Sequence, residues 1–347
     1  MSKFLNNNLS NLVAYTPGEQ PKKGEYIKLN TNESPYPPPP EVLAIVNETA
    51  RYLNLYCDPS ARLLIETFCD YYHLLPSEVI FGNGSDEILA FCYLAFCQDA
   101  VAFPEISYGF YQVFADLFNI SADRIPLNDN FEIVPHTYFN KKKTIIIANP
   151  NAPTGIALSL ADIERIAIEN PSNVVIIDEA YCDFSNLGSA RALIHQYDNI
   201  IVVGTFSKSR NLAGARLGYA VASKDLIADL NLVKNSYNPY NVNSMTQAIG
   251  VESIKADSYF KSCVQNIIDS RKDFVAFLNK QNFFTLPSQA NFILTKSYNM
   301  SGQKFYEYLR SQKILVRYFD YLPEFVRITV SSKQDMEILK NVILNLK

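Results

Sequence analysis

A lysine at the mouth of a buried strand is costly unless it is paired or covalently modified, and burial pushes its amine toward the neutral, nucleophilic form. Thr205-Phe206-Ser207-Lys208 puts a lysine directly after the apolar run at residues 200–203. By itself an S-K dipeptide reads as an exposed loop lysine, but the flanking residues change that reading. Ser207 offers a hydroxyl, Arg216 a bidentate anion fork, and Gly214 and Gly218 permit close backbone approach. Together they form the inventory of a phosphate site beside an amine.

Three further signals sit where predicted strands end. Val174-Val175-Ile176-Ile177 runs into Asp178-Glu179-Ala180-Tyr181. A carboxylate closing an apolar strand needs a partner, which a heterocyclic N–H would supply, and Tyr181 can present its phenol to the same ligand. A metal-binding or Walker B aspartate competes with that reading, although the chain has no G-x-x-x-x-G-K-[ST]. Phe81-Gly82-Asn83-Gly84-Ser85-Asp86-Glu87 leads a strand through a Gly-rich turn into a helix, whose N-terminal amides suit a phosphate. Alone it also reads as a plain turn, and it lacks the third glycine of a dinucleotide fingerprint. Asn149-Pro150-Asn151-Ala152-Pro153-Thr154-Gly155, after the run at 144–148, reads by composition as a rigid loop.

These segments need a scaffold, and the apolar pattern predicts one. Residues 79–81, 100–103, 144–148, 174–177 and 200–203 are nearly continuous β-branched or aromatic runs, as in strands buried on both faces of a parallel sheet. Helical spacing fills 86–96, 107–117 and 158–168. The order predicts an α/β fold with a mostly parallel central sheet flanked by helices and ligands at the carboxyl ends of its strands. Past about residue 245 the texture changes to a long helical stretch (245–280), a strand at 291–295, a helix at 303–312, strands at 314–317 and 326–330, and a last helix capped at Ser332. That mixture predicts a smaller α+β domain. The proline-dense stretch 35–40 predicts a connecting arm, with a polyproline ligand for another protein as the alternative.

Composition bounds the function classes. With 347 residues, 48% of them hydrophobic, the chain is long enough for about two domains. A net charge of −4 argues against a nucleic-acid or anionic-membrane binder, and the Lys141-Lys142-Lys143 run reads as a solvated turn. Six cysteines without a C-x-x-C pair and only three histidines leave no ligand set for a metal, and predict reduced thiols in a cytoplasmic protein. Neither a signal peptide nor a membrane span is expected.

N-P-N-x-P-T-G, then D-E-A-Y, then T-x-S-K followed by L-A-G-x-R, in this order and spacing, resemble the fold-type I pyridoxal-phosphate aminotransferases. Residues 29–35, 82–87, 107–111 and 326–330 are more narrowly similar to the histidinol-phosphate aminotransferases, and the resemblance runs from about Leu12 to the C-terminus. It implies a large pyridoxal-phosphate-binding domain at 30–244, a small C-terminal domain at 245–347, and an N-terminal arm, 1–29, that belongs to the small domain. Lys208 would carry pyridoxal 5′-phosphate covalently and shuttle a proton, Asp178 would pair with the pyridinium nitrogen, Tyr181 would bond the ring hydroxyl, and Tyr108 would stack on the ring. Ser207, Arg216 and the amides of Gly84, Ser85 and Asp86 would hold the phosphate, with Tyr56 reaching the phosphate of a neighbouring subunit in a homodimer.

The same resemblance assigns Arg327, assisted by Arg317, to the carboxylate or phosphate of the substrates, and places Tyr15 and Asn32 in the arm that closes over them. One departure stands out. Relatives carry a ring-contacting asparagine where this chain has Ala152, so Asn151 or a water is expected in that role. The implied reaction moves the amino group of L-histidinol phosphate to 2-oxoglutarate, giving imidazole acetol phosphate and L-glutamate in histidine biosynthesis. An aromatic amino acid aminotransferase and a phosphorylated-amino-acid decarboxylase are alternatives on the same framework. A nucleotide- or NAD-binding protein using residues 82–87, or a silent scaffold, lies outside it.

Overall fold

The computed structural model describes residues 2–9, 12–22 and 24–346 of the chain. After a short strand, β1 (Ile27–Lys28), seven strands build the central sheet: β2 (Val79–Asn83), β3 (Ala100–Pro104), β4 (Ser121–Ile125), β5 (Thr144–Ala148), β6 (Val175–Asp178), β7 (Ile200–Thr205) and β8 (Leu217–Ala222). Their order is β2-β8-β7-β6-β5-β3-β4, and β8 alone runs antiparallel to its neighbours. The expected α/β architecture with a mostly parallel sheet is the observed one.

The β-branched runs lack polar alternation because both faces of the sheet are covered. Side chains alternate in direction along a strand. Ile145, Ile147, Val175, Ile177, Ile200 and Val202 therefore enter one apolar layer, and Ile146, Ile176, Ile201 and Val203 enter the other. The first layer is closed by α1 (Pro40–Thr49), α2 (Arg62–Tyr72), α5 (Leu160–Ile168) and α7 (Ser244–Lys255), the second by α3 (Gly84–Phe96), α4 (Phe110–Leu117) and α6 (Lys224–Tyr237). Each isoleucine or valine buried this way contributes roughly 1.5–3 kcal/mol relative to exposure.

A second unit follows, built from α8 (Asp257–Lys280), β9 (Phe283–Thr285), β10 (Phe292–Ser297), α9 (Gly302–Ser311), β11 (Ile314–Leu315), β12 (Arg317–Tyr318), β13 (Val326–Thr329) and α10 (Lys333–Leu344). Its antiparallel sheet has the order β12-β13-β10-β9, and β1 pairs in parallel with β11, which ties the N-terminal segment to this unit. Ser332 caps α10 as its sequence predicts, its hydroxyl accepting from the Asp335 N–H at 3.2 Å.

Several details depart from the local pattern. The helical stretch expected at 245–280 breaks at Ala256 into α7 and α8, and α7 packs on α1 and α2. The strand expected at 314–317 divides at Val316, one half serving β1 and the other β13. Pro40, read as part of the arm, opens α1, where its missing N–H costs nothing. The apolar pattern predicts no strand at β1, β4, β8 or β9: β4 is a polar edge strand, and β8 follows the glycine-flanked segment after Lys208. No described helix is long and apolar enough to cross a membrane.

Candidate active site

The carboxyl ends of β5, β6 and β7, the start of α3, the arm at residues 15–20 and the β12–β13 hairpin enclose a cavity of about 410 Å³. A larger surface groove of about 550 Å³ around Leu75, His195 and Lys224 holds none of the predicted site residues.

Lys208 follows the tip of β7. The Ser207 N–H donates to Thr205 Oγ1 at 3.1 Å, tightening the turn that delivers Lys208 to the cavity floor. Its Nζ donates to the Thr31 carbonyl at 3.3 Å. Burial, reinforced by the positive charges of Arg327 and Arg216 and opposed by Glu33 and Asp86, lowers the amine's pKa to about 8. A substantial fraction of neutral amine is thus present near physiological pH.

Asp178 ends β6 and is only 4% exposed. Tyr111 donates its phenol to Asp178 Oδ2 at 2.8 Å, and the Ala180 N–H donates to Oδ1 at 3.2 Å. Burial overrides these bonds and raises the carboxyl to about 6, with Asp86 and Glu179 adding to the effect. A carboxylate so desolvated is poised for a cationic or N–H partner from the cavity. Beside it, Tyr181 accepts a hydrogen bond from Asn32 Nδ2 at 2.9 Å, and its ring meets Phe292 edge-on at 5.0 Å.

An anion cradle occupies the other end. Gly84 opens the 13-residue α3 at φ +79°, and a Cβ there would lie 2.4 Å from Arg216 Nη2. A Cβ on Gly218 would lie 2.3 Å from the Gly84 carbonyl carbon and Ser85 nitrogen. Two glycines thus let β8, Arg216 and the first amides of α3 converge, where a helix N-terminus favours negative charge. Asp86 orders the edge of this cradle, accepting from Tyr108 Oη at 2.9 Å and pairing with Arg216 Nη2 at 3.1 Å.

The wall formed by β12 and β13 is cationic. Arg317 and Arg327 are direct cross-strand partners, so both guanidinium groups project from one face. Like charges in that relation destabilise a sheet, and no salt bridge among the described residues involves either one. Arg327 Nη2 donates to the Asn30 carbonyl at 2.9 Å and Arg317 Nη2 to the Thr16 carbonyl at 3.2 Å, while Arg327 Nε is buried without a partner. Tyr15 packs on Phe110 at 4.5 Å and covers the cavity from the arm.

Thirteen of the fifteen residues predicted from sequence therefore meet at one place or its immediate edge. Two do not. Tyr56 is 86% exposed and stacks on Tyr240 at 4.7 Å, away from the cavity of its own chain. Asn151, expected to replace the missing asparagine, is turned into its own loop: Nδ2 donates to the Ile106 carbonyl (2.9 Å) and Thr154 Oγ1 (3.2 Å), and Oδ1 accepts from Ser107 (2.7 Å). Its polar atoms are committed, and Ala152 forms the cavity wall instead. Sequence reasoning missed Tyr111, Phe319 and Tyr321. Tyr111 lies within the quoted Ser107–Tyr111 stretch, yet nothing in its spacing points it at Asp178. Among the described residues no cluster of His, Cys, Asp and Glu could hold a metal.

A depressed lysine and a buried carboxylate on neighbouring strand tips, next to a helix-borne anion cradle, define a class of enzyme: the chain belongs to the aminotransferase class I and II family, whose sequence model it matches over residues 24–343. It is 43% identical to the histidinol-phosphate aminotransferase of Brachyspira hyodysenteriae over 99% of this chain and 100% of that protein. Among solved structures, the histidinol-phosphate aminotransferase from Clostridium acetobutylicum superposes with a TM-score of 0.85 at 24% identity, over 91% of this chain and 98% of that one. The enzyme of that name from Sinorhizobium meliloti, in complex with pyridoxal-5′-phosphate, has a TM-score of 0.83 at 20% identity over 92% of each chain. These likenesses to solved structures show the shared fold.

Proposed function

We propose that this chain transfers the amino group of L-histidinol phosphate to 2-oxoglutarate with pyridoxal 5′-phosphate as cofactor, yielding imidazole acetol phosphate and L-glutamate in histidine biosynthesis. The observation that carries the reading is the unneutralised pair Arg317 and Arg327 facing the same cavity as Lys208 and Asp178. Two such guanidinium groups suit a substrate phosphate in one half-reaction and a carboxylate in the other. The near-full-length relative named above supports the particular substrate.

Pyridoxal phosphate fits the groups present. Its phosphate suits the cradle of Ser207, Arg216 and the α3 amides of Gly84, Ser85 and Asp86, and its ring N–H suits Asp178, desolvated to about 6. Bound there, the cofactor supplies an electron sink for negative charge developing at the substrate carbon. Lys208 Nζ, near pKa 8, would hold the cofactor covalently when free of substrate and otherwise carry the proton from the substrate carbon to C4′ of the cofactor. Asp178 would keep the ring nitrogen protonated, Tyr181 would support the ring oxygen, and Tyr108 would flank the ring. Arg327 and Arg317 orient the substrate anion while Tyr15 and Phe110 exclude water.

A homodimer completes this reading. Tyr56 projects outward with Tyr52, Leu53 and Leu55, all more than half exposed, and in a second copy it would reach the phosphate cradle. The arm and the unit beyond residue 255 act as the smaller domain that closes on substrate, and the cytoplasm is the expected compartment.

The experiment is a visible spectrum of the purified protein before and after borohydride, followed by addition of L-histidinol phosphate, phenylalanine or a phosphorylated amino acid. A chromophore reduced onto Lys208 and bleached preferentially by histidinol phosphate, with no carbon dioxide released, is the expected result. A colourless protein that pyridoxal phosphate cannot reconstitute overturns the cofactor assignment. Preference for phenylalanine, or release of carbon dioxide, replaces the substrate assignment by the corresponding alternative.

A further inference from the structure

Three consecutive residues, Asn30, Thr31 and Asn32, each touch a different member of the site. The Asn30 carbonyl accepts from Arg327 at 2.9 Å, the Thr31 carbonyl accepts from Lys208 at 3.3 Å, and the Asn32 side chain donates to Tyr181 at 2.9 Å. Asn32 is 1% exposed and sits in the left-handed region at φ 54°, a conformation asparagine tolerates better than most residues.

Its neighbours determine which way its carboxamide points. The Asn32 N–H donates to Thr329 Oγ1 at 2.9 Å, so that hydroxyl spends its own hydrogen elsewhere, on Asn32 Oδ1 at 3.1 Å. Asn291 Nδ2 fastens the Asn32 carbonyl at 3.0 Å. With Oδ1 held by a donor, the group facing Tyr181 is the NH₂, and the phenol oxygen can only accept from it. The phenolic hydrogen is then left for the cavity, which Tyr181 lines. Among the described residues no second carboxamide donates to Tyr181, since position 152 is alanine and Asn151 is committed to Ile106, Ser107 and Thr154.

We infer that Asn32 is a positioning residue for Tyr181: its side chain, oriented by Thr329, fixes the phenol so that its hydrogen is directed at the oxygen of the ring bound between Lys208 and Asp178. This rests on the cofactor reading above and gives Asn32 a different task from contacting substrate. The relay also crosses between the two units, because Thr329 lies on β13 two residues from Arg327, whereas Tyr181 follows β6 of the central sheet.

The test uses the cofactor-loaded enzyme and reads the pH titration of its lysine-linked visible chromophore. Asn32→Asp keeps the shape and the backbone conformation but turns the donor into an acceptor, which takes the phenolic hydrogen away from the cavity. The expected result is an upward shift of the chromophore pKa by about one unit, a tenfold change in the protonation equilibrium. Tyr181→Phe is expected to shift it similarly, the double variant no further, and kcat is expected to fall about tenfold with KM for histidinol phosphate changed less than about threefold. Thr329→Val, which removes the orienting hydroxyl, gives a smaller shift of the same sign and serves if Asn32→Asp does not fold. An unmoved chromophore pKa in the folded variants, or shifts that add in the double variant, overturns the inference. Wild-type protein with no chromophore would instead defeat the cofactor reading.

Discussion

Tyr111 donates its phenolic hydrogen to Asp178 Oδ2 at 2.8 Å, from a helix on one side of the sheet to a strand tip within it. That bond favours the ionised carboxylate against the burial that raises it to about 6. In Tyr111→Phe the carboxyl should rise further, because burial is retained and the bond is not. Hydrogen bonds to charged groups are worth about 1.5–3 kcal/mol, so cofactor affinity should fall roughly tenfold or more. Fluorescence titration with pyridoxal phosphate should show a larger loss at pH 6.5 than at pH 8.5. An equal loss at both would mean that Tyr111 acts through shape alone.

Asp178→Asn should separate stability from function. Without cofactor, the folded carboxyl titrates at about 6 against an ordinary value of 3.8, so between these values the native state binds more protons than the unfolded chain. Stability from this group therefore falls as pH rises through that window, and the full penalty is present above it. Urea unfolding of the cofactor-free variant should show a gain of about 1–3 kcal/mol at pH 7.5 and almost none at pH 4, with cofactor binding severely weakened. Lys208 titrates at about 8 against an ordinary 10.5, so its share of stability rises as pH climbs through that range.

Arg327→Gln should spare the cofactor spectrum and raise KM for histidinol phosphate and 2-oxoglutarate together, by about a hundredfold, the scale of a lost charge-assisted bidentate contact. Arg317→Gln should do the same to a lesser extent. Because the two guanidinium groups face each other across β12 and β13, neither change should destabilise the substrate-free protein. A rise in KM for only one of the two substrates would show that their anions bind at separate places.

Tyr56 tests the assembly. If its phenol completes the cradle of a second copy, inactive Tyr56→Ala and inactive Lys208→Ala should complement when refolded together. A mixed dimer then holds one site with both native residues, and random mixing restores roughly a quarter of wild-type activity. Absence of recovery, with mixed dimers seen by native mass spectrometry, would confine Tyr56 to packing on Tyr240.

Much of this molecule is determined by local sequence. The runs at 144–148, 174–177 and 200–203 are strands because nothing in them is polar enough to face water on either side, and their ends carry the residues that meet in the cavity. Lys208 and Asp178 are legible for that reason, a charge at a strand end being conspicuous against its apolar neighbours, whereas Gly84 and Arg216 stand out only through the Gly-rich turn and the glycines around the segment after Lys208. Ser332 marked its helix equally well.

Tertiary structure alone decided the rest. β8 enters the sheet between β2 and β7 because Gly218 lets it lie against α3, a contact between segments far apart in sequence. α7 packs on α1 and α2 rather than continuing into α8, a contact no helical period records. Asn151 turned away from the cavity because Ile106, Ser107 and Thr154 satisfy its amide nearby, and Asn32 reached Tyr181 because Thr329 holds it. Burial and strand or helix character are properties of short windows, set by side-chain polarity and backbone preference. The partner of a buried polar group is set by which distant segments the fold brings within 3 Å, and that is written in no single stretch of the chain.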